Sequence, residues 1–194
     1  MSLILDAFQF AARAHAGQTR KYNGAPYITH PIRVAGRVAT MPIATEERVA
    51  VAILHDVSED CGVAISRIRD LFGDKVADGV NWLTNPSKQF KHLPRCDRKA
   101  LDRAHISEAP LEYAIIKAID RIDNLGEMPA SESFCELYAE ESRDLGRAIE
   151  HKIPPGLFTE LENAILRMEV ARMHYRSFML RDSYEIDAGA RVLR

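Results

Sequence analysis

Apolar residues recur every three or four positions through most of this chain, and no segment sustains the period-two alternation of a half-buried strand. The pattern predicts an all-α fold of eight or nine helices, compact and multi-helical rather than a simple four-helix bundle. A first amphipathic helix is expected over residues 3–15, with Leu5, Phe8, Ala12 and His15 on one face, ending at Ala16-Gly17-Gln18. Residues 19–27 are rich in turn formers and read as a loop. Pro31 suits a first helical position, so Thr29-His30-Pro31 opens a second helix that reaches about Thr40 before Met41-Pro42 breaks it. Thr45 is the expected N-cap of the third helix, with Glu46 and Glu47 placed to complement the helix dipole.

Beyond Gly62, Ile65, Ile68, Leu71 and Phe72 form a helical face that Gly73 stops, and Val76, Val80 and Leu83 form the next over residues 74–83. Residues 85–97 carry two prolines and little periodicity, which predicts a loop; Lys88, Lys91, Arg95, Arg98 and Lys99 make it basic. A helix is expected around residues 98–105. Pro110 starts another, whose apolar face Ala114, Ile115, Ala118, Ile119 and Ile122 is interrupted by Asp120 and Arg121. Two last helices are expected over 133–149 and from 157 to about 179, split by Pro154-Pro155-Gly156 and followed by a polar tail over 182–194.

At 194 residues, with 46% hydrophobic and 28% charged residues, the chain reads as one domain able to bury a full core. A net charge of -2 excludes a globally basic nucleic-acid binder but permits a local basic patch. No apolar run approaches the roughly 20 residues that span a bilayer. The N-terminus lacks a signal-peptide pattern, and Cys61, Cys96 and Cys135 are odd in number and scattered. Together these imply a cytoplasmic protein without a disulfide frame, independent of membranes and nucleic acid.

The chemistry concentrates in Ile53-Leu54-His55-Asp56-Val57-Ser58-Glu59-Asp60. Val49, Ala52 and Ile53 carry a buried stripe straight into Asp56, and charge on a buried stripe needs a partner, most simply a cation. An adjacent imidazole and carboxylate can both ligate a divalent ion, but two ligands do not make a site. His30 and Asp120 are the other candidates, although a histidine beside proline more often caps a helix and an aspartate beside Arg121 more often pairs with it. Adjacent acids Glu59 and Asp60 at a helix C-terminus oppose the dipole, which favours a functional reading over a solvated helix end.

In order along the chain, Ala14-His15-Ala16-Gly17-Gln18, Arg20-Lys21, Gly24-Ala25-Pro26-Tyr27-Ile28-Thr29-His30-Pro31, Leu54-His55-Asp56-Val57-Ser58-Glu59-Asp60 and Asp120-Arg121-Ile122-Asp123-Asn124 resemble the hydrolase domain of RelA/SpoT proteins. That domain is a branch of the HD superfamily of metal-dependent phosphohydrolases, and the resemblance covers about residues 5–128. It implies a single HD-type domain over 1–194, acting as a stand-alone hydrolase that removes the 3′-pyrophosphate of (p)ppGpp. It further implies that His30, His55, Asp56 and Asp120 hold Mn2+, a mixed nitrogen–oxygen set that also suits Fe or Zn. Four protein ligands leave positions for water and a phosphate oxygen. Glu59 and Asp60 would orient or deprotonate the attacking water, and Arg20, Lys21 and Asn124 would contact the nucleotide, a small-molecule substrate. The basic loop is a candidate for the 5′ phosphates, with a solvated charged loop as the equal alternative.

Three positions depart from the resemblance: Asp123 stands where the family usually has histidine, Cys61 where it has threonine, and Ser58 where valine or threonine is common. The loop around Arg20-Lys21 is also a residue longer. Asp123 adds negative charge beside an anionic substrate, with Arg121 the expected neutraliser. The alternatives are therefore an HD phosphohydrolase acting on an adenine alarmone, NADPH or a nucleoside phosphate, and a nucleotide-binding regulator without turnover. Residues 131–194 carry no legible chemistry; the two helices there, over 131–180, pack on the core or form a homo-oligomer face.

Overall fold

The structure is a computed structural model that describes residues 2–127 and 134–192, with side chains as far as Tyr175. Among the described residues the regular elements are helical, apart from one antiparallel bridge between Thr19 and Pro26 that pins the loop after the first helix. Helix α1 spans Leu3–Ala14, α2 Thr29–Val38, α3 Glu46–Leu54 and α4 Val57–Cys61. Helix α5 spans Ile65–Phe72, α6 Asp74–Leu83, α7 Arg95–Glu108 and α8 Leu111–Glu127. Helices α9 (Phe134–Ile149) and α10 (Pro155–Val192) complete the order. No helix among the described residues is long and apolar enough to cross a membrane.

The local signals work as their chemistry requires. Thr45 caps α3, its hydroxyl accepting from the Arg48 amide at 3.2 Å. Gly62 at φ 70° and Gly73 at φ 83° take the left-handed turns that end α4 and α5. The later helices differ from expectation at their boundaries. The basic stretch contains a 3-10 turn at Pro86–Gln89, and α7 already starts at Arg95. Helix α10 runs past residue 179 because no proline follows Pro155 and, after Gly156 in its first turn, no glycine comes before Gly189. The expected helix start at residue 133 lies outside the described residues, as do the side chains of the polar tail.

Helix α3 is the centre. Every residue from Val49 to Leu54 is buried, because α1, α2 and α6 pack around it. A helix buried on all sides needs apolar residues all round, and α3 has them after its first turn. Helix α1 buries Ala7 and Ala11; of the expected face His15, at its C-cap, is buried, whereas Leu5 and Phe8 remain 47% and 37% exposed. The small alanines permit close approach to α3, which the bulkier face would prevent. Helix α8 buries Ala114, Ile115, Ala118, Ile119 and Ile122 as expected, and packs against α2, α6 and α10.

Gly79 marks the tightest crossing. A Cβ there would lie 2.6 Å from Val51 Cγ2 and 2.7 Å from Tyr113 Cε1. Gly79→Ala is therefore expected to destabilise, because overpacking costs about 1–3 kcal/mol against a helix gain of about 0.5–1 kcal/mol. Gly36 in α2 has open space, so Gly36→Ala should raise stability by about 0.5–1 kcal/mol. Urea unfolding of both variants checks the opposite signs.

Candidate metal centre

Three helices deliver the candidate ligands. His30 sits in the first turn of α2 beside Pro31, His55 and Asp56 occupy the break between α3 and α4, and Asp120 projects from the middle of α8. His30 and His55 are 0% and 1% exposed, and Asp120 is buried. His55 Nε2 lies 3.1 Å from Asp56 Oδ2 and 3.7 Å from Asp120 Oδ1. His30 Nε2 lies 3.2 Å from Asp120 Oδ1 and 3.6 Å from Asp56 Oδ2. Ligand atoms of His30, His55 and Asp56 all fall within 4.8 Å of one another, a spacing that could hold one ion.

The neutral tautomer of each imidazole follows from its other nitrogen. His55 Nδ1 is 2.8 Å from the Ala52 carbonyl and His30 Nδ1 is 2.6 Å from Asp123 Oδ2. A carbonyl and a carboxylate only accept, so both Nδ1 atoms carry the hydrogen and both Nε2 lone pairs face the centre. Those two Nε2 atoms are buried without a hydrogen-bond partner. Two lone pairs and two carboxylates converging in a buried space could hold a divalent cation.

Charge acts in the same sense. Burial works against an imidazolium at His55, but Asp56 and Asp120 outweigh it and hold its pKa well above the usual histidine range. His30 is raised too: burial opposes its charge, and Asp120 and Asp123 prevail. Asp120 titrates well below its ordinary value; burial resists this, and Lys117 and the imidazoles overcome it. A cation needs bare Nε2 atoms, so its binding must expel protons. Titrating Mn2+ into weakly buffered, metal-stripped protein is expected to acidify the solution, with affinity rising as the pH climbs through and above the ordinary histidine range. Affinity independent of pH would contradict this.

The rim carries the acids. Both Glu59 oxygens accept from Asn85, one from its backbone amide and one from Nδ2, each at 3.1 Å. Tyr27 bridges Asp56 and Asp60: its hydroxyl lies 2.8 Å from Asp56 Oδ2 and 2.7 Å from Asp60 Oδ2, and its single proton is shared between them. Lys88 Nζ lies 3.3 Å from both Glu59 Oε1 and Asp60 Oδ1. Lys117 Nζ, 3.0 Å from Asp120 Oδ2, keeps its charge despite burial.

Arg20 and Asn124 lie at the edge of the cluster and hold each other, Nη2 to Oδ1, at 2.6 Å. The Arg20 guanidinium also lies 5.2 Å from the Tyr27 ring centroid. Lys21 is not brought in; it is exposed and rests on Tyr22. Within the basic stretch only Lys88 is seen on the acids, while Arg95 pairs with Glu141 and Lys99 with Asp102. Arg121 does not neutralise Asp123. It donates to Ser142 and lies over Tyr138, because α8 turns it toward α9; Arg33 pairs with Asp123 instead.

Tyr27, Asn85, Arg33, Lys117 and Glu127 are the residues the sequence did not single out. Lys117 had a usable signal, since it lies one turn before Asp120 on the same helix face. For Asn85 and Arg33 the contacts span 26 and 90 positions, and no local pattern reports them.

Residues 7–145 match the profile of the HD domain family. The guanosine-3′,5′-bis(diphosphate) 3′-pyrophosphohydrolase MESH1 of Xenopus tropicalis is 33% identical over 129 residues, covering 66% of this chain and 70% of that protein. Its Homo sapiens counterpart is 34% identical over 128 residues, covering 64% and 69%. A probable guanosine-3′,5′-bis(diphosphate) 3′-pyrophosphohydrolase of Synechocystis is 35% identical over 130 residues, 66% of this chain, but the match spans only 17% of that longer protein. Among solved structures, a metazoan ortholog of SpoT that hydrolyses ppGpp matches with a TM-score of 0.75 over 87% of this chain and 97% of that one. At 23% identity that likeness is one of fold. A Listeria monocytogenes protein matches with a TM-score of 0.60 at 29% identity, over 75% and 96% of the two chains. The profile covers most of the chain, and the helical architecture and buried histidine–aspartate cluster agree with it: this chain belongs to the HD domain family.

Proposed function

We propose that this protein is a metal-dependent hydrolase that removes the 3′-pyrophosphate of guanosine alarmones, converting ppGpp and water to GDP and pyrophosphate. The observation that carries the reading is the convergence of two buried, unpartnered imidazole Nε2 atoms with the Asp56 and Asp120 carboxylates, beside the acids Glu59 and Asp60. The names of the MESH1 relatives support the guanine substrate.

His30, His55, Asp56 and Asp120 would hold the ion. A nitrogen–oxygen set without thiolate suits Mn2+, with Fe or Zn as substitutes. When bound, the ion supplies Lewis acidity and offsets charge that builds on the phosphoryl oxygens. Glu59 takes the proton from the attacking water, and Asn85 holds its carboxylate by both oxygens so that it cannot swing away. The water oxygen bonds to the phosphorus attached at the ribose 3′ oxygen; that P–O bond breaks, and the ribose oxygen leaves with a proton. Asp60, tied through Tyr27 to Asp56, orients the water. Arg20 and Asn124 meet the nucleotide at the rim, Lys21 meets it from the exposed loop, and Lys88 adds positive charge for phosphate.

The test is turnover of ppGpp by purified protein with Mn2+, with GDP and pyrophosphate identified as products. Activity should vanish with a chelator and return with Mn2+. Unchanged ppGpp in the presence of metal-loaded, folded protein would sink the reading. Turnover confined to a non-guanine nucleotide would move the substrate and leave the chemistry.

A further inference from the structure

His55 is oriented by its own helix, since Ala52 is one turn back on α3. His30 has no such local support. Its Nδ1 reaches Asp123, 93 positions away on α8. Asp123 is itself gripped by a bidentate Arg33, Nε to Oδ1 at 2.7 Å and Nη2 to Oδ2 at 2.8 Å. Arg33 also donates to Glu127, which accepts from Arg20 Nε at 2.5 Å through its other oxygen. Arg20 Nη2 donates to Asn124 Oδ1 at 2.6 Å, and Asn124 Nδ2 donates to Asp120 Oδ1 at 2.6 Å. That oxygen lies 3.2 Å from His30 Nε2, so the path closes. It starts on one candidate ligand and ends on another.

The ring has a simple helical basis. Asp120, Asp123, Asn124 and Glu127 lie at i, i+3, i+4 and i+7, one stripe over the last turns of α8. His30 and Arg33, one turn apart on α2, face that stripe, and Arg20 reaches it from the preceding loop. The side chains of Asp123, Glu127 and Arg20 are 16%, 12% and 11% exposed, so their pairing is weakly screened.

We propose that Asp123, Arg33 and Glu127 are positioning residues of the metal centre, holding the His30 ring and the Asp120 carboxylate in one rigid frame. This rests on the reading of the cluster as a metal site. Asp123 keeps the hydrogen of neutral His30 on Nδ1, so that Nε2 faces the ion. Arg33 aims Asp123 and joins it to Glu127. Through Arg20 and Asn124 the same frame fixes Asp120 Oδ1, and it places a residue expected to meet substrate two hydrogen bonds from a ligand. Partners of ligand groups of this kind are worth about 10–100-fold in metal affinity.

Mn2+ affinity by electron paramagnetic resonance of the free ion, at fixed pH, tests this on folded full-length protein. Asp123→Ala is expected to weaken binding about 10–100-fold. Arg33→Gln, at a half-exposed position that should not disturb folding, weakens it less but in the same direction. Arg33→Lys fails to restore it, since an ammonium cannot grip both carboxylate oxygens in a planar fork. In the Asp123→Ala/Arg33→Gln double variant the two losses are not additive, because Arg33 acts through Asp123. Ring-nitrogen NMR of the metal-stripped protein, at a pH where His30 is neutral, should show its hydrogen on Nδ1, and a mixture of tautomers in Asp123→Ala. Wild-type affinity in folded Asp123→Ala, with wild type itself binding, overturns this proposal alone. Wild type that binds no Mn2+, or His55→Ala that binds as well as wild type, overturns the metal reading and this proposal with it.

Discussion

His55→Ala is expected to lose stoichiometric Mn2+ and to reduce ppGpp turnover by at least about 10³-fold. The estimate follows from the several kcal/mol of transition-state stabilisation a hydrolytic metal supplies, at about 1.4 kcal/mol per factor of ten. His55 is the ligand with least slack, fully buried and pinned by its own helix to the Ala52 carbonyl. Without the imidazole, Asp56 and Asp120 share a buried space with one histidine fewer to balance them. The variant's fold should be checked by circular dichroism, since a cavity opens beside Leu54 and Val57 in the core. Stoichiometric Mn2+ in folded His55→Ala would remove His55 from the ligand set.

Glu59→Gln should show the complementary pattern, full metal content with turnover reduced about 10²–10⁴-fold, the usual worth of a general base. Glutamine keeps the shape but cannot accept a proton. It also replaces one oxygen with an amide nitrogen, so the two donors of Asn85 no longer both find acceptors. A stability loss of about 1 kcal/mol should accompany the change, small enough to leave metal binding intact. Near-wild-type turnover in Glu59→Gln would pass the base role to Asp60, where Asp60→Asn is the next measurement.

The two variants divide a stretch that is continuous in sequence into different tools. His55 and Asp56 end a buried helix and point inward; Glu59 and Asp60 lie on the next short helix, at the rim. The break falls between Leu54 and Val57, both fully buried, so core packing sets the distance between the acids and the ligands.

Helix positions were largely legible because their causes are local. The cap at Thr45, the left-handed glycines at 62 and 73 and the prolines at 31 and 110 act within a turn of where they stand. The order His30, His55-Asp56, Asp120 was legible too, through the resemblance its motifs carry, and packing brings those four together. Facing and pairing were not. Periodicity alone offered Leu5 and Phe8 as the buried side of α1, whereas the close approach of α3 selected Ala7 and Ala11. Proximity in sequence offered Arg121 to Asp123, but successive residues on a helix diverge, and the guanidinium that arrives is Arg33, 90 positions away. The tautomer of His30, the bridging of Asp56 and Asp60 by Tyr27 and the capture of Glu59 by Asn85 share that origin. The amino-acid sequence by itself determined which residues form helices and which carry chemistry, because propensity, capping and side-chain type are properties of short segments. Tertiary structure alone decided which charge meets which, because a hydrogen bond between distant positions exists only once the helices between them have packed.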